Sequence, residues 1–262
     1  MKAKRSRLLA LPAVIYLTVL FLGPTSVVLA YSFLERDIYG GVHARFSWDA
    51  WRMATDRITL GILARTVLLA GGVTALNLLL AYPCAAALSR MPRERRTLWV
   101  LILGFPMLTS LLLRTYGWLN VLPLEWRGTL LAVGLVEACN YLPFMVLPLL
   151  KAYERADRTL VLAALDLGAT PWQAFWRVTF PITLSGAAAG SALVFIPVSG
   201  EYLVPHFIGE GKVSVAGTLV MEWFDHRHWP YAAACAAWLA LIVLLPIGAS
   251  MWWKSRQGEL AN

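Results

Sequence analysis

The segment TVLLAGGVTALNLLLAYPCAAALS, residues 66–89, contains no charged side chain and is bounded by Arg65 and Arg90. About 20 consecutive apolar residues are enough for a helix to cross the hydrocarbon core of a bilayer. The length and the charge-free composition of this segment therefore predict a transmembrane helix.

Five further segments of the chain are similarly apolar. Two of them fit a transmembrane span less well than the rest. One is shorter and ends at Arg114, and another contains the charged residue Glu137. Together with residues 66–89 they predict an all-α, polytopic membrane protein with six transmembrane helices. The additional predicted spans are Leu8–Leu34, Thr97–Leu113, Gly128–Leu150, Val178–Gly200 and Tyr231–Trp253.

The composition of the whole chain agrees with this class. Of its 262 residues, 59% are hydrophobic and only 15% are charged, whereas a soluble domain carries about 25% charged residues. A soluble enzyme, a disordered chain and a secreted disulfide-rich domain are therefore excluded. Cys84, Cys139 and Cys235 each lie in an apolar segment, so they predict neither a disulfide framework nor a metal site. We predict a single transmembrane domain over residues 1–262.

The net charge of +8 indicates the orientation of the chain in the membrane. Cytoplasmic loops of membrane proteins carry an excess of Lys and Arg. If the N-terminus is cytoplasmic and the six spans alternate, the inner segments contain the whole basic excess. Both termini are then cytoplasmic, and no nucleic-acid partner is needed to explain the charge. The inner cations are Lys2, Lys4, Arg5, Arg7, Arg90, Arg93, Arg95, Arg96, Lys151, Arg155, Arg158, Arg177, Lys254 and Arg256.

The first predicted span has an alternative interpretation. The basic residues before Leu8 and the sequence Val28-Leu29-Ala30 resemble the basic region and the cleavage site of a signal peptide. The apolar segment is longer than the roughly 7–15 residues of a signal core, which favours a retained span. Cleavage would leave five spans and would reverse the side on which the C-terminus lies.

The outer segments are short. Phe33–Asp56 alternates aromatic and charged residues and predicts an interfacial segment, since Trp and Tyr favour the headgroup level. Leu119–Arg127 is a brief connection, and His206–Trp229 is longer and contains His226, Arg227 and His228. Because no outer segment is long enough to fold alone, a solute-capturing domain would have to be another chain.

The inner segment of residues 151–181 is long and not very polar. Leu160, Ala163, Ala164 and Leu167 follow the spacing of a helix with one apolar face. Gly168 is then placed to end that helix in a left-handed conformation. Thr170-Pro171 is typical of a helix start, and the second helix would present Trp172, Phe175 and Trp176 on one side. Two exposed apolar faces indicate a docking site; a helix pair resting on lipid headgroups is the alternative.

This segment resembles the cytoplasmic loop of bacterial ABC importer permeases. Their pattern is Glu-Ala-Ala, three residues, Gly, nine residues, Ile-x-Leu-Pro; this chain has Ala163-Ala164, Gly168 and Val178-Thr179-Phe180-Pro181 at the same spacing. Leu162 replaces the Glu, which removes one polar contact expected with the partner. Other motifs resemble the spermidine/putrescine permease subfamily, and the likeness covers roughly residues 60 to 250. They are Arg114 to Trp118, Asn140 to Pro148, Ala187 to Phe195, and Ile196 to Tyr202 with Pro205.

The resemblance implies a set of partners in the bacterial inner membrane. Such permeases pair with a second permease subunit, bind two ATPase subunits inside and receive solute from a binding protein outside. This chain has no Gly-rich phosphate loop of the ATPase type, so we predict that it is not an enzyme and needs a separate ATPase chain. No cofactor is implied. The residues expected to couple to the ATPase are Ala163, Ala164, Asp166, Leu167, Gly168, Ala169 and Pro181.

Glu201 is the main candidate for contact with the solute, with Tyr202, Trp118 and Arg114 nearby. A carboxylate at membrane depth is a functional hypothesis, and it suits a polyammonium solute. Two alternatives are that Glu201 pairs with Arg114 or with a cation of the partner subunit. Glu137 is likewise a candidate either for a functional contact or for structural pairing with a cation, and structural pairing is preferred. Arg114 is better explained as an interfacial cation than as a solute contact.

Small residues and prolines within the spans carry structural predictions. Gly186, Ala187 and Gly190 form a small-residue face, which predicts close helix packing. Pro106, Pro143 and Pro197 interrupt the hydrogen bonding of their spans, which is tolerated where helices bend or line a cavity.

The most specific prediction is a permease subunit that carries polyamines or a related small organic solute. Phosphonates, ferric iron and thiamine are alternatives within the same class. A secondary transporter would predict inverted repeats and more spans, and a membrane enzyme would predict an acidic metal cluster or paired histidines at membrane depth; we find neither pattern in the sequence.

Overall fold

The computed structural model describes residues 16–156 and 158–259. Over this part of the chain it is helical apart from one two-stranded sheet. The predicted inner cations of the N-terminus, Lys2, Lys4, Arg5 and Arg7, lie outside the described residues, as do Asp157 and Asn262. The chain divides into two compact units, one formed by the residues up to Leu63 with those from Leu219 onward, and one formed by residues Ala64–Thr218.

The elements follow one another with short connections. Short 3₁₀ turns at Phe105–Leu108 and Leu124–Trp126 and π-helical turns at Thr18–Leu22 and Phe175–Thr179 flank or join them. The helices and strands are α1 Gly23–Tyr31, β1 Leu34–Arg36, β2 Val42–Phe46, α2 Asp49–Ala54, α3 Arg57–Arg90, α4 Arg93–Gly104, α5 Leu111–Val121, α6 Leu130–Arg155, α7 Arg158–Asp166, α8 Pro171–Ala174, α9 Phe180–Gly200, α10 Leu203–Ile208, α11 Ala216–Asp225 and α12 Trp229–Glu259.

Three helical segments are long and apolar enough to cross a membrane: α3, α6 and the continuous helix Pro171–Gly200. A fourth span is possible if α4 and α5 are counted as one bent pair. The first and last predicted spans coincide with shorter apolar helices in the described part of the chain, Thr18–Tyr31 and Trp229–Leu244. The polytopic all-α class is confirmed, while the count of six remains a prediction.

The third predicted span, Thr97–Leu113, is not one straight helix. Its two parts, Arg93–Leu108 and Leu111–Val121, meet at an angle of 95°. Thr109 and Ser110 have extended backbones with ψ of 150° and 133°, and Pro106 has no N–H to continue the α-helical ladder. Because helix resumes at Leu111, Arg114 lies inside α5 rather than at the end of a span.

The outer segment before α2 contains a hairpin that we did not predict. Strands β1 and β2 pair antiparallel, with Arg36 opposite Val42. The connection includes Gly40 and Gly41, whose φ angles are +88° and +96°, a conformation that favours glycine. The helix before it ends at Tyr31, so the predicted end of the first span at Leu34 was too late.

The first unit has its own small core. Tyr231 and Cys235 of α12 pack with Ala50 and Ala54 of α2 and with Leu219. A hydrogen bond of 2.6 Å joins the hydroxyls of Thr59 and Tyr231 within this unit. The residues before α12 also contain α11, which the sequence did not predict in the segment His206–Trp229.

The second unit is built around the close pairing of α6 and α9. A side-chain carbon added at Gly186 would lie 2.8 Å from the carbonyl oxygen of Pro148, and one at Gly190 would lie 3.1 Å from that of Met145. Only a hydrogen side chain permits this approach, so the predicted small-residue packing face is confirmed. Met145, Val146, Leu149 and Val194 are fully buried at or near this contact.

Candidate functional site

Glu201 lies where α9 ends and α10 begins. Its Oε1 accepts hydrogen bonds from the backbone N–H groups of Tyr202 and Leu203, each at 3.0 Å. Its Oε2 accepts a hydrogen bond of 2.9 Å from the hydroxyl of Tyr141 on α6. A carboxylate that accepts N–H groups at a helix start is favoured by the unpaired donors and by the helix dipole. The side chain is therefore fixed between two helices while it stays partly exposed.

The predicted pairing of Glu201 with Arg114 is not present. Among the described residues no ion pair involves Glu201, and the Nε and Nη1 atoms of Arg114 are buried without a hydrogen-bond partner. Arg114 as a whole is partly exposed, so its role as an interfacial cation stays a prediction.

Of the two aromatic residues predicted near Glu201, Tyr202 lies next to it in the chain, whereas Trp118 packs elsewhere. Tyr202 follows Glu201 directly and stacks on His206 with ring centroids 5.0 Å apart. Trp118 packs against the core of the second unit. The ring of α5 that contacts α10 belongs to Tyr116, which lies 5.1 Å from Phe207. The sequence thus predicted the correct helix but did not identify Tyr116 or Tyr141.

Glu137 is completely buried, and neither carboxylate oxygen has a hydrogen-bond partner in the described chain. Glu137 therefore has no pairing partner among the described residues, and pairing with a cation of the partner subunit stays a prediction. Asn77 on α3 is equally buried with its amide group unpartnered, and the Nδ2 atom of Asn140 is unpartnered one turn after Glu137. Buried polar groups normally have partners, so each of these three residues is unusual among the described part of the chain.

The end of α7 has the conformation predicted for Gly168. Its φ angle is +86°, the N–H of Ala169 bonds to the carbonyl of Ala164, and the N–H of Gly168 bonds to that of Leu165. These two bonds define a Schellman motif. Ala163, Ala164 and Asp166 lie on α7, and Leu167 and Ala169 flank the turn.

The helix that follows also begins as predicted. The hydroxyl of Thr170 accepts the N–H of Gln173, and the side chain of Gln173 accepts the N–H of Thr170, which is a capping box with Pro171 at the first helical position. The predicted separate second helix was wrong, however. Helical structure continues through the π-helical turn and Pro181 to Gly200, so the turn at Gly168 leads directly into a membrane-spanning helix.

An apolar surface covers both helices next to this turn, and we call its residues the coupling surface. Leu167 is 89% exposed and Trp172 is 69% exposed. Trp176 packs edge-on against Trp172 at 5.6 Å, which holds the rings in place. Leu162, at the position of the family's Glu, is also exposed. The coupling surface comprises Leu160, Leu162, Leu167, Trp172 and Trp176.

Comparison with known proteins identifies the family of the chain. Residues 8–253 match the binding-protein-dependent transport system inner membrane component family. The chain belongs to that family. It is therefore a multi-pass transport component of the inner membrane.

Several relatives within the family are named for their solutes. The spermidine/putrescine transport system permease protein PotB of Escherichia coli K12 is 30% identical over 251 residues, which cover 88% of this chain and 90% of that protein. The molybdenum transport system permease protein ModB of Mycobacterium bovis is 31% identical over 214 residues, covering 76% of this chain and 81% of that one.

Two solved structures share the fold of this chain. A bacterial ABC transporter that imports the acidic polysaccharide alginate superposes with a TM-score of 0.68 at 17% identity, over 96% of this chain and 95% of that one. The same transporter in complex with its alginate-bound periplasmic protein gives a TM-score of 0.68 at 15% identity, over 93% of this chain and 92% of that one. At these identities the likeness shows the fold alone.

Proposed function

We propose that this chain is a permease subunit of an ATP-driven importer and that its solute is a polyamine of the spermidine and putrescine type. The observation that carries the proposal is the similarity to PotB along nearly the full length of both proteins. A carboxylate held at the end of a membrane-spanning helix, at Glu201, supports it.

The proposed complex contains a second permease subunit, two ATPase subunits on the cytoplasmic side and a solute-binding protein outside. The related alginate transporter in complex with a periplasmic protein supports the last of these partners. Both termini are proposed to be cytoplasmic, because this orientation places the basic excess inside.

The coupling surface is proposed to contact the ATPase. Leu167 and Trp172 are large, apolar and exposed at the inner end of the proposed topology, and burial of such side chains stabilises a protein contact by about 25 cal/mol per Å² of apolar area. The Schellman motif and the capping box fix the angle between the two helices that carry them.

The path of a polyamine requires groups that replace the water around its ammonium charges. Desolvation of an unpaired cation inside a membrane protein is costly, whereas a carboxylate or an aromatic face compensates for it. Glu201 offers a carboxylate, and Tyr202 offers a ring beside it. The side chain of Glu201 is already oriented by three hydrogen bonds, so little reorganisation is needed when a cation binds.

Uptake of radiolabelled spermidine into vesicles by the reconstituted complex tests this function. Glu201→Gln removes the charge but keeps an oxygen that can accept the two N–H groups, so uptake should fall at least tenfold, a loss of about 1.4 kcal/mol, while assembly is unchanged. Tyr141→Phe is the matched control, because it removes one hydrogen bond to Glu201 and leaves the charge. Loss of assembly in Glu201→Gln would indicate a structural ion pair with the partner subunit.

An oxyanion is the second candidate solute. The similarity to ModB and the buried, unpartnered nitrogens of Arg114 favour it. Two uptake measurements distinguish these solutes. If the solute is a polyamine, unlabelled putrescine should inhibit spermidine uptake. Molybdate uptake that is unaffected by Glu201→Gln would instead assign the chain to anions.

A further inference from the structure

A cavity of about 860 Å³ lies in the second unit, between the end of α3, the first half of α4, the C-terminal half of α6 and Leu193 of α9. Its volume is in the range of about 300–1,000 Å³ found for sites that bind small molecules. The proposed topology places it at the cytoplasmic surface of the membrane. Glu201 and the coupling surface do not line it.

The rim of this cavity is basic. Arg93, Arg96 and Lys151 line it, and Glu154 is the one acidic residue among the described lining residues. Glu154 is already engaged, at 3.2 Å from Arg96 and 2.9 Å from Lys151. The rim therefore keeps a positive excess after its internal ion pairs are formed, and Arg93 makes no ion pair among the described residues.

The start of α4 strengthens the preference for an anion. Its first turn contains Arg93, Arg95 and Arg96 with the single acid Glu94, and the residue before it, Pro92, provides no side-chain cap. Cations at a helix N-terminus are unfavourable because the helix dipole is positive there. An anion in the cavity would lie near this helix start and would neutralise Arg93 and Arg96, the two arginines of this turn that line the cavity.

The inner wall of the cavity is apolar. Val100 lies about one helical turn, or about 6 Å, beyond Arg96 along α4, and Phe144 lies about 10 Å from Lys151 along α6. Leu147 and Leu193 complete this wall. The cavity thus changes from cationic at its rim to apolar at membrane depth, which is the polarity profile of an amphiphile with an anionic head.

We propose that this cavity binds an anionic phospholipid, with the headgroup phosphate at Arg93, Arg96 and Lys151 and the upper part of an acyl chain along Val100 and Phe144. Basic pockets between membrane helices on the cytoplasmic side suit anionic headgroups. None of the residues proposed to contact the solute lines the cavity, so it is separate from that proposed site. The inference does not depend on the identity of the solute.

Retention of defined lipids by the purified complex tests the proposal. The full-length chain with its co-purifying subunits is exposed to an equal mixture of phosphatidylglycerol and phosphatidylcholine in detergent and then washed. Mass spectrometry quantifies the lipid retained per complex. Wild type should retain phosphatidylglycerol in preference to phosphatidylcholine. The double variant Arg93→Gln with Lys151→Gln should bind phosphatidylglycerol roughly 25-fold more weakly, since each cation near an anionic surface contributes roughly fivefold.

The control variant is Arg95→Gln with Arg155→Gln. It likewise removes one cation from the first turn of α4 and one from the C-terminal part of α6, but neither residue lines the cavity, so retention should stay at the wild-type level. If the first double variant does not assemble, Arg93→Gln alone, compared with Arg95→Gln, should show roughly a fivefold loss. Three results would overturn the proposal: equal retention of both lipids by wild type, an equal loss in both variants, or displacement of the lipid by inorganic phosphate, which would assign the site to a soluble anion.

Discussion

Gly168 shows how one residue determines the geometry of the coupling surface. Its φ of +86° is in the left-handed region, and an added side-chain carbon would meet no atom within 4 Å. A substitution there is therefore strained by its backbone and not by a clash. We expect Gly168→Val to strain the turn by about 1–2 kcal/mol, with loss of transport and of ATPase co-purification while membrane insertion stays normal.

Two controls separate this strain from a general effect of the new side chain. Gly168→Asn should retain co-purification, because Asn tolerates the left-handed conformation. Gly211→Val places the same residue at another open glycine with a positive φ of +71°, away from α7, and should leave ATPase binding intact. Full transport by Gly168→Val would remove this turn from the mechanism.

At the scale of residues, the sequence predicted positions that depend on local rules. The conformation of Gly168 and the capping by Thr170 follow from interactions within a few residues, and both are confirmed. Glu137 is different, because its burial and its lack of a partner depend on which helices surround it. The contact between Tyr141 and Glu201 joins residues 60 positions apart, and no local pattern indicates it.

At the scale of elements, His228, directly before α12, is expected to make the stability of the folded chain depend on pH. Burial, and secondarily the nearby charge of Arg36, lower the pKa of His228 below its ordinary value of 6.5. The unfolded chain therefore binds a proton more readily than the folded one, so this contribution to stability is present above about pH 6.5 and is lost as the pH falls below it.

Thermal unfolding of the purified protein as a function of pH measures this effect. The ring of His228 lies edge-on to Trp223 at 5.5 Å and near Tyr231 at 5.7 Å, so protonation disturbs the core of the first unit. His228→Gln should reduce the loss of stability on acidification, and the exposed His226→Gln should keep the wild-type slope. If thermal stability changes with pH equally in the wild type and both variants, His228 does not control the loss of stability on acidification.

The contact between α6 and α9 predicts a second effect at this scale. Gly186→Ala would place a side-chain carbon 2.5 Å from that of Ala152, which forces the helices apart. Overpacking of this kind costs about 1–3 kcal/mol, so the thermal midpoint should fall. Gly72→Ala, where an added carbon meets no atom within 4 Å, is the control and should leave the midpoint unchanged.

The hairpin and the bend were not predicted from the sequence, and the reason differs between them. The hairpin of β1 and β2 had a local signal in Gly40-Gly41 between alternating residues, which is typical of a tight turn. The bend at Thr109 and Ser110 had only Pro106 as a signal, and a proline is also compatible with a continuous span. An uncharged segment shows that a helix can cross the membrane, but it does not show whether that helix is straight.

At the scale of the whole molecule, the orientation of the chain is the main expectation left to test. Reporter fusions after Arg96, after Arg158 and at Asn262 should report the cytoplasm, and fusions at Arg45 and Lys212 should report the outside. The expected pattern follows from the distribution of Lys and Arg. An external C-terminus would mean that the number of spans is odd.

Hydrophobicity and charge bias were sufficient to predict a polytopic membrane protein, since they depend on composition over long segments. The single domain over residues 1–262 and the six spans stay predictions. The internal structure of each unit, in contrast, depends on contacts between distant residues such as Gly186 and Ala152, which no single segment encodes.

The uninterrupted helix Pro171–Gly200 has a mechanical consequence. Its 30 residues make a rod of about 45 Å, with Trp172 at one end and Glu201 immediately beyond the other. A tilt of about 10° around one end displaces the other end by roughly 8 Å. No flexible loop lies between them to absorb the movement, and the π-helical turn at Phe175–Thr179 is the place where the rod can yield. We expect that a rigid tilt of this helix moves Trp172 and Glu201 together, and that bending at Phe175–Thr179 reduces the movement that reaches Glu201.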